Sequence, residues 1–322
     1  MVHPFQFTAQ VPDFDGSLDH WQSELAWIAG AGFTTVALAD HFTAGYTMEP
    51  MVTLTAAALS SNLRVQTAVL GVDYRHPVLL HRAAATLDLL SEGRLDLGLG
   101  AGWMTSDYEA AGLTMDPPGV RIGRLEETLD VLEGLFGDEP LTYHGKHVTV
   151  EEMRGVPGAV QRPHPPFLIG GGGKRMLRLA GRRGDIVGVN ANLSAGVAGR
   201  HSVLDVSWES MRQKVDWIRE GAGSVGRDFE ALELSMAQWL LCVTASRSEA
   251  EELLTKMASR LGVEADWLDR APGVLVGSTG RVIEKLHETR ERLGISYIQV
   301  HSGPRSVDLR SVAPVVSALA GT

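Results

Sequence analysis

Short apolar runs alternate along this chain with longer segments whose apolar residues recur at helical spacing. The runs predict strands at residues 5–10, 35–39, 64–70, 95–99, 167–169, 186–189, 234–243 and 297–300. The apolar runs lack strict alternation with polar residues, which is typical of parallel strands buried on both faces. Helices are predicted at 17–31, 50–60, 77–90 and 120–136, and near Met176, Trp208, Ser248, Thr279 and Asp308.

About eight strand–helix units predict a parallel sheet covered by helices. A closed barrel and a doubly wound open sheet both fit this order, and eight units favour the barrel. An open dinucleotide-binding sheet carries G-x-G-x-x-G after its first strand, and residues 8–17 lack it. We therefore predict an α/β fold, a TIM-like (β/α)8 barrel forming a single domain over residues 1–322. Insertions are expected near 137–166, 190–207 and 262–278, the first with a small hairpin around 141–150.

Composition and charge narrow the class of partner. Hydrophobic residues make up 44% of the 322 residues, enough for a large core, and the formal net charge is −10. An acidic protein attracts neither nucleic acid nor an anionic membrane, so neither is an expected partner. The single cysteine, Cys242, lies in an apolar run and is expected to be a buried thiol. With no signal peptide or long apolar span apparent, a cytoplasmic location is predicted.

Four consecutive glycines, Gly170 to Gly173, follow the predicted strand 167–169 and precede Lys174, Arg175 and a predicted helix. Glycine lets backbone N–H groups approach a ligand closely, and a helix N-terminus adds unpaired N–H donors. This arrangement suits a phosphate, which Gly171, Gly172 and Gly173 would contact and the two cations would neutralise. Alternatively, the glycines form a tight strand-to-helix turn that binds no ligand, and Lys174 and Arg175 are first-turn residues that face solvent. His144, His147 and His164 match no zinc pattern, so no metal is expected.

An ordered set of motifs resembles a known family. The set comprises Ala39-Asp40-His41, Gly71-Val72, the segment from Arg94 to Trp103, the segment from Gln161 to Gly171, and residues 180–185. In this order they resemble the bacterial luciferase-like monooxygenase superfamily, and within it the coenzyme F420-dependent oxidoreductases. The resemblance spans residues 5 to about 318. It implies a deazaflavin or flavin at the C-terminal face of the barrel, a small-molecule substrate and a homodimer.

The resemblance also assigns roles to individual residues. His41 would lie beside the cofactor ring and exchange a proton during hydride transfer, a task that suits an imidazole. On the residues alone, a structural histidine is equally compatible. Asp40 would either orient His41 or satisfy backbone groups inside the barrel. The Gly71-Val72 peptide would be a non-prolyl cis bond supporting the ring, against the alternative of an ordinary glycine at a strand end.

Gly102, Trp103 and Met104 would form a further wall of the cofactor site. Many F420-dependent relatives carry asparagine where this chain has Met104, so the motif departs from theirs at that position. Asp107-Tyr108 would have a structural role or a role at the rim. We predict an oxidoreductase that transfers a hydride between coenzyme F420 and a small organic substrate. An FMN-dependent monooxygenase and a non-catalytic flavin- or deazaflavin-binding barrel are the alternatives.

Overall fold

The computed structural model describes residues 3–43, 45, 47–197, 199–300 and 307–322. Its strands are β1 (Gln6–Gln10), β2 (Thr35–Leu38), β3 (Arg64–Thr67), β4 (Leu70–Gly71), β5 (Leu95–Gly100), β6 (Leu141–His144), β7 (Thr149–Met153), β8 (Phe167–Gly171), β9 (Ile186–Val189), β10 (Glu233–Ala237), β11 (Leu240–Val243), β12 (Val274–Gly277) and β13 (Ile295–Val300).

The helices surround these strands and alternate with most of them. They are α1 (Leu18–Gly30), α2 (Pro50–Ser60), α3 (Pro77–Leu90), α4 (Thr105–Ala111), α5 (Pro118–Phe136), α6 (Lys174–Arg183), α7 (Arg200–Leu204), α8 (Trp208–Gly223), α9 (Arg247–Leu261), α10 (Ala265–Arg270), α11 (Thr279–Leu293) and α12 (Leu309–Leu319). In the described part of the chain, no helix is long and apolar enough to cross a bilayer.

Eight parallel strands close into a barrel. Their order is β3-β2-β1-β13-β10-β9-β8-β5, and pairing of β5 with β3 completes the ring. All residues of β2, β5, β9 and β13 are buried, as the apolar runs predict for strands covered on both faces. The predicted TIM-like (β/α)8 fold is therefore confirmed, and the doubly wound sheet is excluded.

Close contact between β3 and β5 depends on a glycine. A Cβ at Gly98 would lie 1.9 Å from the carbonyl oxygen of Thr67, so only glycine fits there. The Thr67 hydroxyl donates a hydrogen bond to Gly98 O at 2.9 Å, and the amide of Gly98 donates one back at 2.7 Å. Glycine at this position lets the two strands meet where the barrel closes.

Two predicted strands end earlier than their apolar runs. The run 64–70 is divided, because β3 stops at Thr67 and the short β4 starts at Leu70. The run 234–243 leaves the barrel after Ala237, and its second half, β11, pairs with β12 in a separate two-stranded parallel sheet. The Trp239 amide donates to Gly273 O at 2.8 Å, which attaches the departing chain to that outer sheet.

The predicted insertions contain short elements of their own. The hairpin expected in the first is β6 and β7, an antiparallel pair. The segment 190–207 is loop apart from α7, and the third insertion contributes α10 and β12. These two elements pack with α9 and β11 around a small apolar cluster that includes Leu254 and Leu268. Cys242, in β11, is partly exposed, which corrects the expectation of a buried thiol. Single-domain organisation stays a prediction.

Candidate active site

A cavity of about 670 Å³ opens at the carboxyl ends of the barrel strands. Parallel barrel strands all end at one face, so side chains distant in sequence meet there. Each barrel strand contributes to the lining at or near its last residue. The contributions include Gln10, His41, Ala68, Gly102, Gly171, Asn190, Gln238 and Gln299.

His41 is held in place by a buried carboxylate. Its Nδ1 lies 2.6 Å from Asp107 Oδ2, and its ring meets the Trp103 ring edge to face, with centroids 5.6 Å apart. An ionised carboxylate only accepts hydrogen bonds, so Nδ1–H is the donor. The bond fixes the tautomer and the orientation of an imidazole that lines the cavity.

Asp107 is itself fully buried and accepts several hydrogen bonds. Its Oδ1 accepts from the backbone amides of Phe42 and Thr43, at 3.1 and 3.0 Å, and from the Thr43 hydroxyl at 2.7 Å. Burial raises the pKa of Asp107, but the bonds from Thr43, His41 and Phe42 outweigh it and hold the pKa below its ordinary value. Asp107 therefore stays ionised beside His41. The sequence predicted only a structural role or a role at the rim for Asp107, whereas the structure pairs it with the His41 ring.

Asp40 has the second of its two predicted roles. Its Oδ2 accepts the amide of Gly71 at 3.0 Å, and both carboxylate oxygens pair with the guanidinium of Arg75. Arg75 also bonds Glu49 at 3.0 Å. Asp107, rather than Asp40, accepts the hydrogen bond from His41 Nδ1. Asp40 lines the cavity while it holds Gly71 of β4 and the Arg75 side chain in place.

The non-prolyl cis peptide lies three residues before its expected position. It joins Ala68 to Val69, and the Gly71-Val72 bond is not cis, so that implication of the resemblance is wrong. The expected position followed the apolar run 64–70, whereas regular pairing of this strand stops at Thr67. Gly71 does line the cavity, whereas the Val72 side chain is buried in the core.

Gly102, Trp103 and Met104 all line the cavity, and their contact with a cofactor stays a prediction. Gly102 has φ of +71°, and a Cβ there would lie 2.0 Å from the hydroxyl oxygen of Tyr108. That hydroxyl donates to Asp73 at 2.8 Å, and Asp73 pairs with Arg124. Burial and the neighbouring Asp73 raise the pKa of Tyr108, which keeps the phenol protonated. Packing of Tyr108 is thus one reason for glycine at 102.

The glycine run has two different structural explanations. A Cβ at Gly172 would lie 2.3 Å from backbone atoms of Ala191 and Asn192, so the loop after β9 packs directly onto this glycine. Gly171 and Gly172 line the cavity. Gly173 is the N-cap of α6, where it offers no side chain to the helix. A Cβ at Gly173 would have one neighbour within 4 Å, Asn192 Nδ2 at 3.9 Å, so packing does not require glycine there.

Lys174 and Arg175 do not extend into the cavity. Lys174 Nζ lies 3.7 Å from Glu220 on α8. The Arg175 guanidinium donates to Glu126 and to the carbonyl of Gly119, both at 2.9 Å. Both cations therefore join α6 to neighbouring helices. Backbone N–H groups at the start of α6 remain available for an anion, because the first turn of a helix has no internal acceptors for them.

The sequence profile of the luciferase-like monooxygenase family matches residues 26–297. The chain belongs to this family. The resemblance to the luciferase-like monooxygenase superfamily that the motifs indicate is therefore confirmed.

Relatives of this luciferase-like protein use more than one cofactor. An uncharacterised protein of Mycobacterium tuberculosis is 38% identical over 128 residues, which are 39% of this chain and 44% of the relative. The FMNH(2)-dependent dimethylsulfone monooxygenase of Pseudomonas putida is 26% identical over 82% of this chain and 73% of its own. The F420-dependent glucose-6-phosphate dehydrogenase of Kineococcus radiotolerans is 29% identical over 48% of this chain and 47% of its own.

Solved structures show the same fold at low identity. An F420-dependent secondary alcohol dehydrogenase with an F420–acetone adduct has a TM-score of 0.78 at 18% identity over 98% of each chain. The FMN-bound oxygenating constituent of 3,6-diketocamphane monooxygenase from Pseudomonas putida has a TM-score of 0.71 at 16% identity, over 99% of this chain and 98% of that one. At these identities, both structures show that the fold is shared.

Sequence reasoning missed two further polar residues at the cavity of this luciferase-like protein. Arg121 on α5 is 4% exposed and donates to the carbonyls of Ala101, Gly102 and Asp116. Gln238, directly after β10, is 3% exposed and lines the cavity. Its position at the end of a barrel strand is the available signal, but the apolar run 234–243 predicts one continuous strand through Gln238.

Proposed function

We propose that this protein is an oxidoreductase that transfers a hydride between coenzyme F420 and a small organic substrate. The observation that carries the proposal is the pair His41–Asp107 at the wall of the cavity. Removing a hydride from an alcohol, or adding one to a carbonyl, also requires a proton to be taken or given. A histidine oriented by a buried carboxylate is suited to that transfer.

The cavity fits a flat ring carrying an anionic tail. Its walls include Val69, Leu168 and Met176, which offer apolar surface to a ring. A Cβ at Gly100 would lie 2.6 Å from Val69 Cγ2, so glycine at this position lets the Val69 side chain pack against β5. The N-terminus of α6, with Gly173 as N-cap, would receive the phosphate. When bound, the deazaflavin supplies the hydride chemistry.

The chain's own residues would orient the reactants and move the proton. Asp107 holds the His41 ring, and Trp103 packs against the edge of that ring, so the imidazole keeps one position. Tyr74 also lines the cavity, and burial together with Asp107 and Asp40 raises its pKa to about 12. Tyr74 therefore stays protonated at neutral pH, and His41 is the cavity imidazole that the carboxylate of Asp107 orients.

An FMN-dependent monooxygenase is the second candidate. It is favoured by the dimethylsulfone monooxygenase, whose match covers more of both chains than that of the F420-dependent dehydrogenase. Met104, where many F420-dependent relatives have asparagine, leaves the choice between F420 and FMN open. A non-catalytic barrel that binds either ring is the third candidate. A homodimer and a small-molecule substrate remain part of the proposal.

Titration of the purified protein with F420 and with FMN, each followed by fluorescence, ranks these candidates. Tighter binding of F420, with turnover across a panel of small alcohols and carbonyl compounds, supports the proposal. Tighter binding of FMN, with oxygen consumption when the flavin is reduced, contradicts it in favour of a monooxygenase. Tight binding without turnover favours the non-catalytic barrel.

The role of His41 has its own test. We expect His41→Ala to lower turnover with F420 by about 100-fold while F420 binding changes little, because general acid–base catalysis contributes on that order. His144→Ala is the matched control, since His144 lies on the exposed hairpin beside Glu151. Wild-type turnover in His41→Ala would refute the catalytic assignment and leave the fold assignment intact.

A further inference from the structure

Lys214 is a buried lysine whose hydrogen bonds, in the described part of the chain, all go to one residue. It lies on α8, and 1% of its side chain is exposed. Its Nζ donates to the carbonyl oxygen of Asp205 at 2.7 Å and to Asp205 Oδ2 at 2.6 Å. Lysine is almost never fully buried unless it is paired, because taking its charge out of water is costly. Both bonds that offset this cost fix the same partner, the residue that follows α7.

Asp205 connects Lys214 to the wall of the cavity. The Oδ2 atom that accepts from Lys214 also accepts the backbone amide of Asn192, at 2.7 Å. Asn192 Oδ1 in turn accepts the amide of Ser194 at 3.0 Å, which shapes the turn between them. Asn192, Leu193 and Ser194 all line the cavity. A lysine on an outer helix is thereby joined, through one carboxylate, to three consecutive residues of the cavity wall.

The segment 191–196 has few other attachments to the rest of the protein. Among the described residues, its backbone makes two hydrogen bonds to groups outside the segment. One is the bond from the Asn192 amide to Asp205, at 2.7 Å. The other runs from the Thr105 amide to the carbonyl oxygen of Gly196 and is longer, at 3.4 Å. The shorter of the two bonds is therefore the one that Lys214 supports.

Helix α8 gives this arrangement a fixed base. A Cβ at Gly221 of α8 would lie 2.2 Å from the carbonyl oxygen of Arg178 on α6. A Cβ at Gly181 of α6 would lie 2.2 Å from the carbonyl oxygen of Ile218 on α8. The two helices thus pack with their backbones in contact, and α6 begins where β8 reaches the cavity. Lys214 therefore holds Asp205 relative to the barrel itself.

We propose that Lys214 is a positioning residue for the substrate. Acting through Asp205, it keeps the segment 191–196 in the arrangement that binds substrate. This inference rests on the proposed function and assigns the segment to substrate binding, apart from the proton transfer at His41. Without the tether the segment populates other arrangements, and apparent affinity falls with the fraction that is competent to bind. Saturating substrate selects the competent arrangement again, so KM changes and kcat does not.

The Lys214→Met variant tests the role in binding, because it keeps the length of the side chain and removes the charge and the donors. With the cofactor that supports turnover, we expect KM for the substrate to rise about tenfold and kcat to stay within about twofold. Asp205→Ala should do the same, and since 30% of the Asp205 side chain is exposed, it serves if Lys214→Met folds poorly. The double variant should match the single variants, because the two residues act as one unit.

Hydrogen exchange on the protein without ligand tests the tether independently of the reaction. We expect the amides of 191–196 to exchange about tenfold faster in Lys214→Met, with exchange in β5 unchanged. Lys285→Met is the matched control, because 2% of the Lys285 side chain is exposed and its Nζ donates to the carbonyls of Asp269 and Val274, outside the segment. This control should lower stability and leave both KM and exchange in 191–196 unchanged.

The outcomes separate this inference from the proposed function. Wild-type exchange in 191–196 in both Lys214→Met and Asp205→Ala would overturn the inference, as would faster exchange with a wild-type KM. An equal rise in KM in Lys285→Met would also overturn it, because general loss of stability would then explain the effect. Turnover with FMN alone would overturn the proposed function, while KM of the same variants would still decide the inference. If neither cofactor supports turnover, both proposals are wrong.

Discussion

Two walls of the cavity differ in how their polar groups are satisfied. The β2–β5 wall, formed by Asp40, His41, Gly71 and Trp103, is held by hydrogen bonds and ion pairs from within the protein. The β8–β10 wall is formed by Gly171, Gly172, Asn190 and Gln238. The Gln238 amide has no hydrogen-bond partner among the residues that the structure describes, and the wall adjoins a helix start without a side-chain cap.

This difference suggests a division of labour. Groups that are paired inside the protein keep one geometry with or without a ligand, which suits residues that position a proton. Groups left for a ligand recognise it, because binding is what satisfies them. The β2–β5 wall would therefore determine the rate of reaction, and the β8–β10 wall would determine which molecule is bound.

The largest expected effect comes from breaking the β2–β5 wall at Asp107. Asp107→Asn removes the charge that holds His41 Nδ1 and allows the wrong tautomer, so we expect turnover to fall about 100-fold with little change in ring affinity. The pH profile of kcat should change as well, because the imidazole loses its anionic partner. Steady-state kinetics across pH, with the cofactor that supports turnover, measures both.

Asp40→Asn is the matched control for Asp107→Asn. Asp40 is also a buried carboxylate at the cavity, but it pairs with Arg75 and Gly71 instead of His41 Nδ1. We expect lower stability and an unchanged pH profile. If Asp40→Asn alters the profile and Asp107→Asn does not, the assignment of the orienting carboxylate is wrong.

The sequence predicted the β2–β5 wall in outline and missed the residue that orients it. The sequence predicts His41 at the cavity because it lies two residues after a strand run, and parallel barrel strands end at one face. Asp107 was not connected to His41, because α4 was not predicted and the residues lie 66 positions apart. A hydrogen bond between distant segments has no local signal in the chain.

The β8–β10 wall shows a different limit of sequence reasoning. Gln238 was hidden in the run 234–243, where apolar residues continue although the strand changes its partner at Trp239. That change depends on Gly273, which lies 34 residues later and accepts the Trp239 amide. Lys174 and Arg175 show the same limit. Their partners, Glu220 and Glu126, lie on other helices, so the sequence does not reveal the ion pairs and predicts cations free to bind a phosphate.

Two adjacent glycines test the β8–β10 wall next. Gly172→Ala should lower the free energy of unfolding by about 1–3 kcal/mol, because its Cβ would lie 2.3 Å from the backbone of Ala191 and Asn192. Gly173→Ala should change stability by less than about 0.5 kcal/mol, since a Cβ fits and its φ of −97° suits any residue. Urea denaturation measures both.

Ligand binding separates the two glycines further. If backbone N–H groups at the start of α6 hold a phosphate, Gly173→Ala should weaken binding of FMN more than binding of riboflavin, which lacks the phosphate. Equal weakening of both would place the phosphate elsewhere. Comparable stability losses in Gly172→Ala and Gly173→Ala would contradict the different packing of these positions.

The smallest expected effect is an acid-dependent loss of stability in the β2–β5 wall. The folded-state pKa of Asp107 lies below its ordinary value of 3.8, so its ionised form stabilises the folded state above that pH. The contribution is lost as pH falls through the lower, folded-state value. The difference in unfolding free energy between wild type and Asp107→Asn should therefore be constant near neutral pH and shrink below about pH 4. Urea denaturation at a series of pH values measures it.

Asp15→Asn is the control, because the Asp15–His20 pair is exposed and should give a much smaller difference. A wild-type-to-Asp107→Asn difference that does not vary with pH would show that the hydrogen bonds to Asp107 do not favour its ionised form.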